Sequence, residues 1–420
     1  MKEDQKLAII ADDFTGAGDS GVHFSRLGKQ IKLLLHRQSL SDAHLLAGNI
    51  SINSETRFLP PDVAARVVSD VIGRCRSKGY ERFYKKIDST MRGNPGAETE
   101  AALAATGKAA ALICTAMPET GRTCRDGQIY LFGTPLHQTD IGQDPFHPLA
   151  SSDIAGMIGE QTALATCVIK IDQIEAGEAA LVQIIADHIS AGIRLIIADA
   201  TCEAHLSTLA RAALQSDCLP VGAGGFARAL ALVLAGEAKG GPVASSKAPE
   251  GPLLAIVGSL ARPSLIQADR AEERGDYHSV ILPPDAKADG LAALCHSQLA
   301  DRGKKGGDIL LRMDNSSVAP RISNEEGARI AALVGAAAFI LCRDYHCQTV
   351  FSTGGETAIA VANALGIPAI DLADELMPGV VLGACQAGEL DVKWFISKAG
   401  GFGNEEVLLD IQSHIRNHHQ

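Results

Sequence analysis

The sequence predicts an α/β protein, two α/β domains with mostly parallel sheets facing an interdomain cleft. Short aliphatic runs, apolar on both faces, alternate with amphipathic segments, the pattern of parallel strands covered by crossover helices. Glycine is abundant, 42 of 420 residues, and clusters just past several of these runs, where strands turn into helices. One stretch, residues 236–252 (GEAKGGPVASSKAPEGP), is dense in Gly, Pro, Ser and Lys without apolar period, the composition of a linker. A boundary near residue 247 gives domains over 1–246 and 247–420.

In the first domain, strands are expected at 6–11, 31–35, 82–87, 111–114, 167–171 and 194–198, with another opening at Ile50. Residues 178–190 carry the period of an amphipathic helix. Residues 117–127 and 137–147 read as a long loop. In the second domain, strands are expected at 253–257, 308–311, 339–342, 349–352 and 392–397, and helices at 264–274, 324–334 and 356–365. The halves share no repeat, so each is expected to take its own ligand.

Composition narrows the partners. With 38 Lys and Arg against 49 Asp and Glu, the net charge of −11 disfavours nucleic acid, and Arg74, Arg76 and Lys78 read as the solvated face of a helix. Ten scattered cysteines without Cys-x-x-Cys fit free thiols in a reducing cytoplasm. The closest approach to a metal signature, Cys342 to Cys347 with His346, lacks ligand spacing and reads as buried thiols around a strand end. The opening MKEDQKLAII is neither a signal nor a transit peptide, and no stretch approaches the roughly 20 apolar residues of a membrane span.

Three polar constellations follow strands. In IIADDFTGAGDSGVHF, Asp12 and Asp13 stand at the carboxyl end of the first strand, where open α/β sheets bind ligands. A loop with Gly16, Gly18 and Gly21 is expected to lead into the helix. Their Gly-x-Gly-x-x-Gly spacing invites a dinucleotide, but Asp-Asp-Phe-Thr intervenes after the strand and its carboxylates repel a pyrophosphate. Helix capping by Asp13 or Thr15 accounts for one carboxylate of the pair. In FYKKIDSTMRGNPGAE, residues 83–98, a strand delivers Lys85, Lys86, Asp88, Ser89, Thr90 and Arg92, with Lys86 and Asp88 on one face and Lys85 and Ile87 on the other. Pro95 and Gly96 open the next helix, with Glu98 in its first turn. Such a set suits a small polyhydroxy acid, cations holding its carboxylate while the Ser and Asp fix its hydroxyls. Arg57, in ISINSETRFLP, is placed to join the same carboxylate.

The second domain carries three glycine clusters after strands: Gly258 with Ser259, then Gly354 and Gly355 before a helix near Glu356, then Lys398 running into Gly400, Gly401 and Gly403. Their backbone N–H groups are suited to cradle phosphates. No Gly-x-x-x-x-Gly-Lys-Ser/Thr occurs, which disfavours a P-loop NTPase, and VGAGGFARALAL at 221–232 reads as helix packing.

These motifs, ADDFTGAGDSG, KKIDSTMRGNPGAE, VGS, STGGETA, PGVVLG (378–383) and SKAGGFG, resemble in order those of the four-carbon acid sugar kinases over nearly the whole chain. The GDSGVHF continuation is more similar to the D-threonate kinases than to the 3-oxo-tetronate kinases. The resemblance implies an acid-sugar-binding domain (1–246), a nucleotide-binding domain (247–420) and transfer of the ATP γ-phosphoryl group to the C4 hydroxyl of a sugar acid, with Mg²⁺ expected and its ligands unassigned. Carried over by motif, substrate contacts are Asp12, Arg57, Lys86, Ile87, Asp88 and Ser89; nucleotide contacts are Ser259, Gly354, Gly355, Glu356, Thr357 and Gly400. Glu356 replaces the Asp of a GGDT loop and Ala399 the Ser of KSGG, and the helix start and glycine backbone survive both changes.

Asp12 is the expected catalytic base and Asp88 the second candidate. D-threonate is the expected substrate, with D-erythronate or 3-oxo-tetronate as alternatives. A dinucleotide-dependent sugar-acid dehydrogenase requires a ribose-binding acid about 20 residues past the fingerprint, where only Asp42 is available. A non-catalytic sugar-acid sensor requires a partner-binding segment, and none is found. The expectation is a cytoplasmic enzyme with small-molecule partners, no nucleic acid or membrane, and a homo-oligomer left open.

Overall fold

Aliphatic runs buried on both faces pair as parallel strands because crossover helices shield both sides of the sheet. The computed structural model describes residues 5–46, 48–143, 148–236, 249, 251–259, 261–274, 277–300, 307–314, 324–386 and 388–417. The chain separates into two units, Met1–Val243 and Ala244–Gln420. Residues 237–248 of the expected linker, including the boundary near 247, lie outside the described residues.

The first unit contains β1 (Leu7–Ala11), β2 (Ile31–Leu34), β3 (Asn49–Asn53), β4 (Arg82–Lys86), β5 (Ala110–Cys114), β6 (Arg122–Arg125), β7 (Gln128–Leu131), β8 (Thr134–Pro135), β9 (Thr166–Ile169), β10 (Leu195–Ala198) and β11 (Cys218–Gly222). Its helices are α1 (Phe14–Ser25), α2 (Asp42–Leu46), α3 (Pro61–Ser77), α4 (Pro95–Thr106), α5 (Ile154–Gly159), α6 (Ile171–Glu175), α7 (Glu178–Ser190), α8 (Glu203–Gln215) and α9 (Gly224–Gly236). The strands run parallel in the order β2-β3-β1-β4-β11-β5-β10-β9. The order reverses between β1 and β4, and ligands of open α/β sheets bind at such a switch point, outside the carboxyl ends of the strands. Ala11 is in register with both Asn53 and Lys86, so the residues after β1, β3 and β4 emerge side by side.

Two expectations for this unit are corrected. The glycines at 16, 18 and 21 lie inside α1, which starts at Phe14 directly after Asp13. Asp13 is its N-cap, accepting a hydrogen bond from the Gly16 N–H at 2.9 Å, so the turn needs no glycine loop. Gly16 serves closeness instead: a Cβ there would lie 2.5 Å from Asp13 Oδ1 and 2.9 Å from Lys86 Nζ and would push those side-chain ends aside. Residues 137–143 carry neither strand nor α-helix, as expected of a loop, whereas residues 117–127 are no loop, because they hold β6, which joins β7 and β8 in an antiparallel sheet. Its first hairpin turns on Asp126-Gly127, both at positive φ (52° and 72°), the two-residue turn whose twist matches its strands. Residues 144–147 lie outside the described residues. VGAGGFARALAL spans the end of β11 and the start of α9.

The second unit contains β12 (Leu253–Val257), β13 (Tyr277–Leu282), β14 (Asp308–Met313), β15 (Thr349–Thr353), β16 (Ala369–Met377), β17 (Val380–Cys385) and β18 (Trp394–Lys398), with α10 (Arg262–Glu273), α11 (Leu291–Gln298), α12 (Asn324–Tyr345), α13 (Gly355–Ala364) and α14 (Val407–Asn417). Strands β13-β14-β12-β15-β18 are parallel, and the β16–β17 hairpin, turning at Pro378-Gly379, adds antiparallel to β18. Its core joins Leu253, Phe351 and Ile396 of the sheet to Val407 and Ile411 of α14. The strand expected at 339–342 lies inside α12, since an apolar run of four residues does not distinguish a strand from a buried helical stretch. Cys342 and Cys347 accordingly flank a helix end, buried and free, and all ten cysteines are free. Among the described residues no helix is long and apolar enough to cross a membrane.

Backbone closeness next to the switch point has a measurable cost. At Gly222, a Cβ would overlap the carbonyl oxygen of Cys114 on β5, a backbone atom that cannot swing aside. Gly222→Ala should destabilise the protein by about 1–3 kcal/mol in urea unfolding, whereas Gly73→Ala on α3, with open space around it, should stabilise it by up to about 1 kcal/mol.

Candidate active site

Three strand ends assemble the polar cluster of the first unit. Arg57, just beyond β3, grips Asp12 with two hydrogen bonds, Nε to Oδ2 at 2.7 Å and Nη2 to Oδ1 at 3.0 Å. Its Nη1 donates to Asp13 Oδ2 at 2.8 Å, and Asp88 Oδ1 lies 3.9 Å from Nη2. Asp88 in turn is held by Arg92, Nε to Oδ2 at 2.8 Å and Nη2 to Oδ1 at 3.0 Å, and by the Thr90 hydroxyl and the Arg92 N–H. Arg57 is fixed from behind: its own N–H and that of Thr56 donate to the Asp12 carbonyl, and Asn94 donates to the Thr56 carbonyl.

The two lysines of β4 separate as strand alternation requires. Lys85 forms an ion pair with Glu98 of α4 at 2.7 Å, both side chains 1% exposed. Lys86, 5% exposed, lies under Gly16 of α1 and forms no ion pair among the described residues. It lies in the fields of Asp13 and Asp19, and a buried ammonium of this kind is suited to pair with a carboxylate.

Electrostatics sort the carboxyls. Burial pushes Asp88 up, but Arg92 and Arg57 outweigh it and hold the group well below the usual carboxylate range. Burial also raises Asp13, and Arg57, Lys86 and the Thr15 hydrogen bond reverse that to a net lowering. Burial raises Glu98 beyond what Lys85 offsets, and it raises Asp19.

The cluster includes two residues that the motifs did not reveal. Arg122 of β6 is 8% exposed, donates to Thr120 Oγ1 at 3.0 Å, and lies in the fields of Asp88, Arg92 and Asp19. Asp19 stands three residues past Gly16 on α1, so both face Lys86. Treating 14–21 and 117–127 as loops hid both; the immediate cap at Asp13 and the Asp126-Gly127 turn are the signals that would have found them.

In the second unit the glycine clusters converge at the carboxyl ends of three adjacent parallel strands, β12, β15 and β18. A Cβ on Gly258 would collide with Thr357, one on Gly400 with Ser259, and one on Gly354 would lie 3.3 Å from Ser259 Cβ. Ser259, Gly354, Thr357 and Gly400 are therefore brought together, with Gly355 as the first residue of α13 and Glu356 exposed in its first turn. Gly354 caps that helix at φ 93°, a conformation that favours glycine. A cradle without Cβ atoms before a helix N-terminus fits a phosphate chain.

Residues 7–230 match the family described as sugar-binding N-terminal domain, and residues 254–408 the one described as nucleotide-binding C-terminal domain. The chain belongs to the four-carbon acid sugar kinase family. It is 34% identical to a D-threonate kinase of Bordetella bronchiseptica, over 98% of this chain and 97% of that one. To a D-threonate kinase of Salmonella typhimurium it is 29% identical, over 98% of both. A crystal structure from Salmonella typhimurium, described as a tRNA synthase, shares the fold with a TM-score of 0.82 at 21% identity, covering 98% of this chain and 99% of that one.

The kinase-family site makes stability depend on acid in one direction. Asp13 and Asp88 have folded values below the ordinary 3.8, so they stabilise the fold above that value and the contribution is lost as the pH falls below it, through their lowered folded values. Chemical unfolding across this range should show a steep loss in the wild type and a shallower slope in Arg57→Met, where the cation that lowers both groups is gone.

Proposed function

We propose that this chain transfers the γ-phosphoryl group of ATP to the C4 hydroxyl of a four-carbon sugar acid, and that the acid is D-threonate. What carries this reading is Lys86: a buried ammonium without an ion pair among the described residues, set among polar groups at a sheet switch point, in a chain whose second unit builds a glycine cradle. Lys86, backed by Arg57, holds the substrate carboxylate, and the run Lys86, Ile87, Asp88 and Ser89 orients the hydroxyls. Gly354, Gly355, Glu356, Thr357, Ser259 and Gly400 hold the nucleotide. Mg²⁺ bound to the triphosphate supplies charge neutralisation on the moving phosphoryl group.

Counting acceptor sites favours Asp12 over Asp88 as the base. A carboxylate has about four lone-pair sites. Among the described residues Asp88 receives four donors, from Thr90 and Arg92, whereas Asp12 receives two, both from Arg57. Asp12 thus keeps capacity for the C4 hydroxyl proton while Arg57 fixes its plane. The dinucleotide reading loses support because Gly16, Gly18 and Gly21 are interior to α1. Ten free cysteines and the charge of −11 support a cytoplasmic enzyme working without nucleic acid or membrane.

An ATP-consumption screen over D-threonate, D-erythronate, L-threonate and 3-oxo-tetronate tests the assignment. D-threonate should give the highest kcat/KM; a preference for another acid overturns the substrate, and no consumption with any overturns the kinase reading. In the same assay Asp12→Asn should lower kcat by about 10²–10⁴-fold with calorimetric ATP affinity unchanged, and near-wild-type turnover removes Asp12 from the role.

A further inference from the structure

The loop after β18 is built with its carbonyls turned inward. Lys398, the last residue of β18 and 1% exposed, donates from Nζ to the carbonyls of Ala399 at 3.1 Å and Phe402 at 2.9 Å. From α10, Gln267 Nε2 donates to the carbonyls of Phe402 (3.1 Å), Gly403 (3.2 Å) and Asn404 (2.8 Å), and Ser264 Oγ to that of Gly400 (2.9 Å). A trans peptide points its C=O and N–H in opposite directions. The peptides whose carbonyls are tethered at Ala399, Gly400 and Phe402 carry the N–H groups of Gly400, Gly401 and Gly403, and among the described residues those three N–H groups make no hydrogen bond. Gly400 packs directly on Ser259, in the cradle described above.

We propose that Lys398 is a positioning residue for nucleotide phosphate: without touching the ligand, it gathers two carbonyls beneath the loop and so turns the N–H groups of Gly400 and Gly403 outward as phosphate donors. This rests on the nucleotide reading of the second unit. A buried ammonium with only carbonyl partners is costly to keep, and burial pushes Lys398 down to about 7. Charged groups on the surrounding elements do not relieve it. Arg270 of α10 pairs with Glu273 and Glu405, Arg274 with Glu406, Glu375 of β16 accepts the Gly379 N–H, and Arg262 and Glu356 are exposed. A bound phosphate brings the negative charge that these side chains do not provide.

Calorimetric titration of MgATP into the full chain, alongside steady-state kinetics with D-threonate, tests the role. Lys398→Met should raise Kd and KM for ATP by about ten-fold, with KM for the acid and the thermal midpoint essentially unchanged. Gln267→Met, which releases the same loop from the other side, should show the same split. Lys398→Arg, which keeps the charge, should retain most of the affinity, and the ratio of wild-type to Lys398→Arg affinity should fall between pH 7 and pH 9 as the lysine alone discharges. Wild type that binds ATP while Lys398→Met binds it equally well overturns the role of Lys398 alone; wild type that fails to bind ATP overturns it together with the nucleotide reading. Should Lys398→Met not fold, an unchanged KM for ATP in Gln267→Met overturns the proposal.

Discussion

Three carboxylates at neighbouring strand ends repel one another, and the first unit's site exists because Arg57 lies between them. Asp12 and Asp13 follow β1, Asp88 follows β4, and the parallel register leaves no room to separate them. The guanidinium meets Asp12 with a two-point fork and Asp13 with its remaining edge, an arrangement that a lysine's single ammonium does not reproduce. With Arg57 committed to the protein's own acids, the proposed role of substrate-facing cation falls to Lys86. In that proposal Arg57 acts on a sugar acid through the positions of its neighbours more than through spare donors.

The second unit solves the opposite problem. A phosphate chain needs N–H donors, and a glycine loop has no side chain with which to aim them. Aim comes from beneath, by holding the carbonyl of each peptide with Lys398, Gln267 or Ser264. At the neighbouring strand end, Gly354 sets the start of α13 through its positive φ. Glu356, which stands where the family motif has Asp, is exposed, so in the proposed site it is the backbone around it that holds the nucleotide.

Much of this was legible in the sequence, and the limits have physical causes. Asp12, Lys86 and Asp88 were visible because an aliphatic run that breaks into polar residues marks the carboxyl end of a buried strand. Ser259, Gly354 and Gly400 stood out as candidates because glycine clusters follow three strands of one unit, although any one of them alone also fits a tight turn. Arg57 was legible as a candidate but its clamp was not, since pairing across 45 residues leaves no local signature. Arg122 was hidden by a hairpin whose turn residues, Asp126 and Gly127, went unread. The apolar run at 339–342 has no period to separate helix from strand, and in the antiparallel β16, polar Asp371, Asp374 and Glu375 dilute the aliphatic pattern that revealed the parallel strands.

The reaction proposed for this constellation is phosphoryl transfer to the terminal C4 hydroxyl of a four-carbon sugar acid. Proton-coupled ³¹P NMR of the product from ATP and D-threonate tests it most directly, because C4 is a methylene and C2 and C3 each carry one proton. Phosphate on the C4 oxygen should give a phosphomonoester resonance split into a triplet by the two C4 protons. A doublet, showing phosphate on C2 or C3, or no phosphomonoester at all, would contradict it.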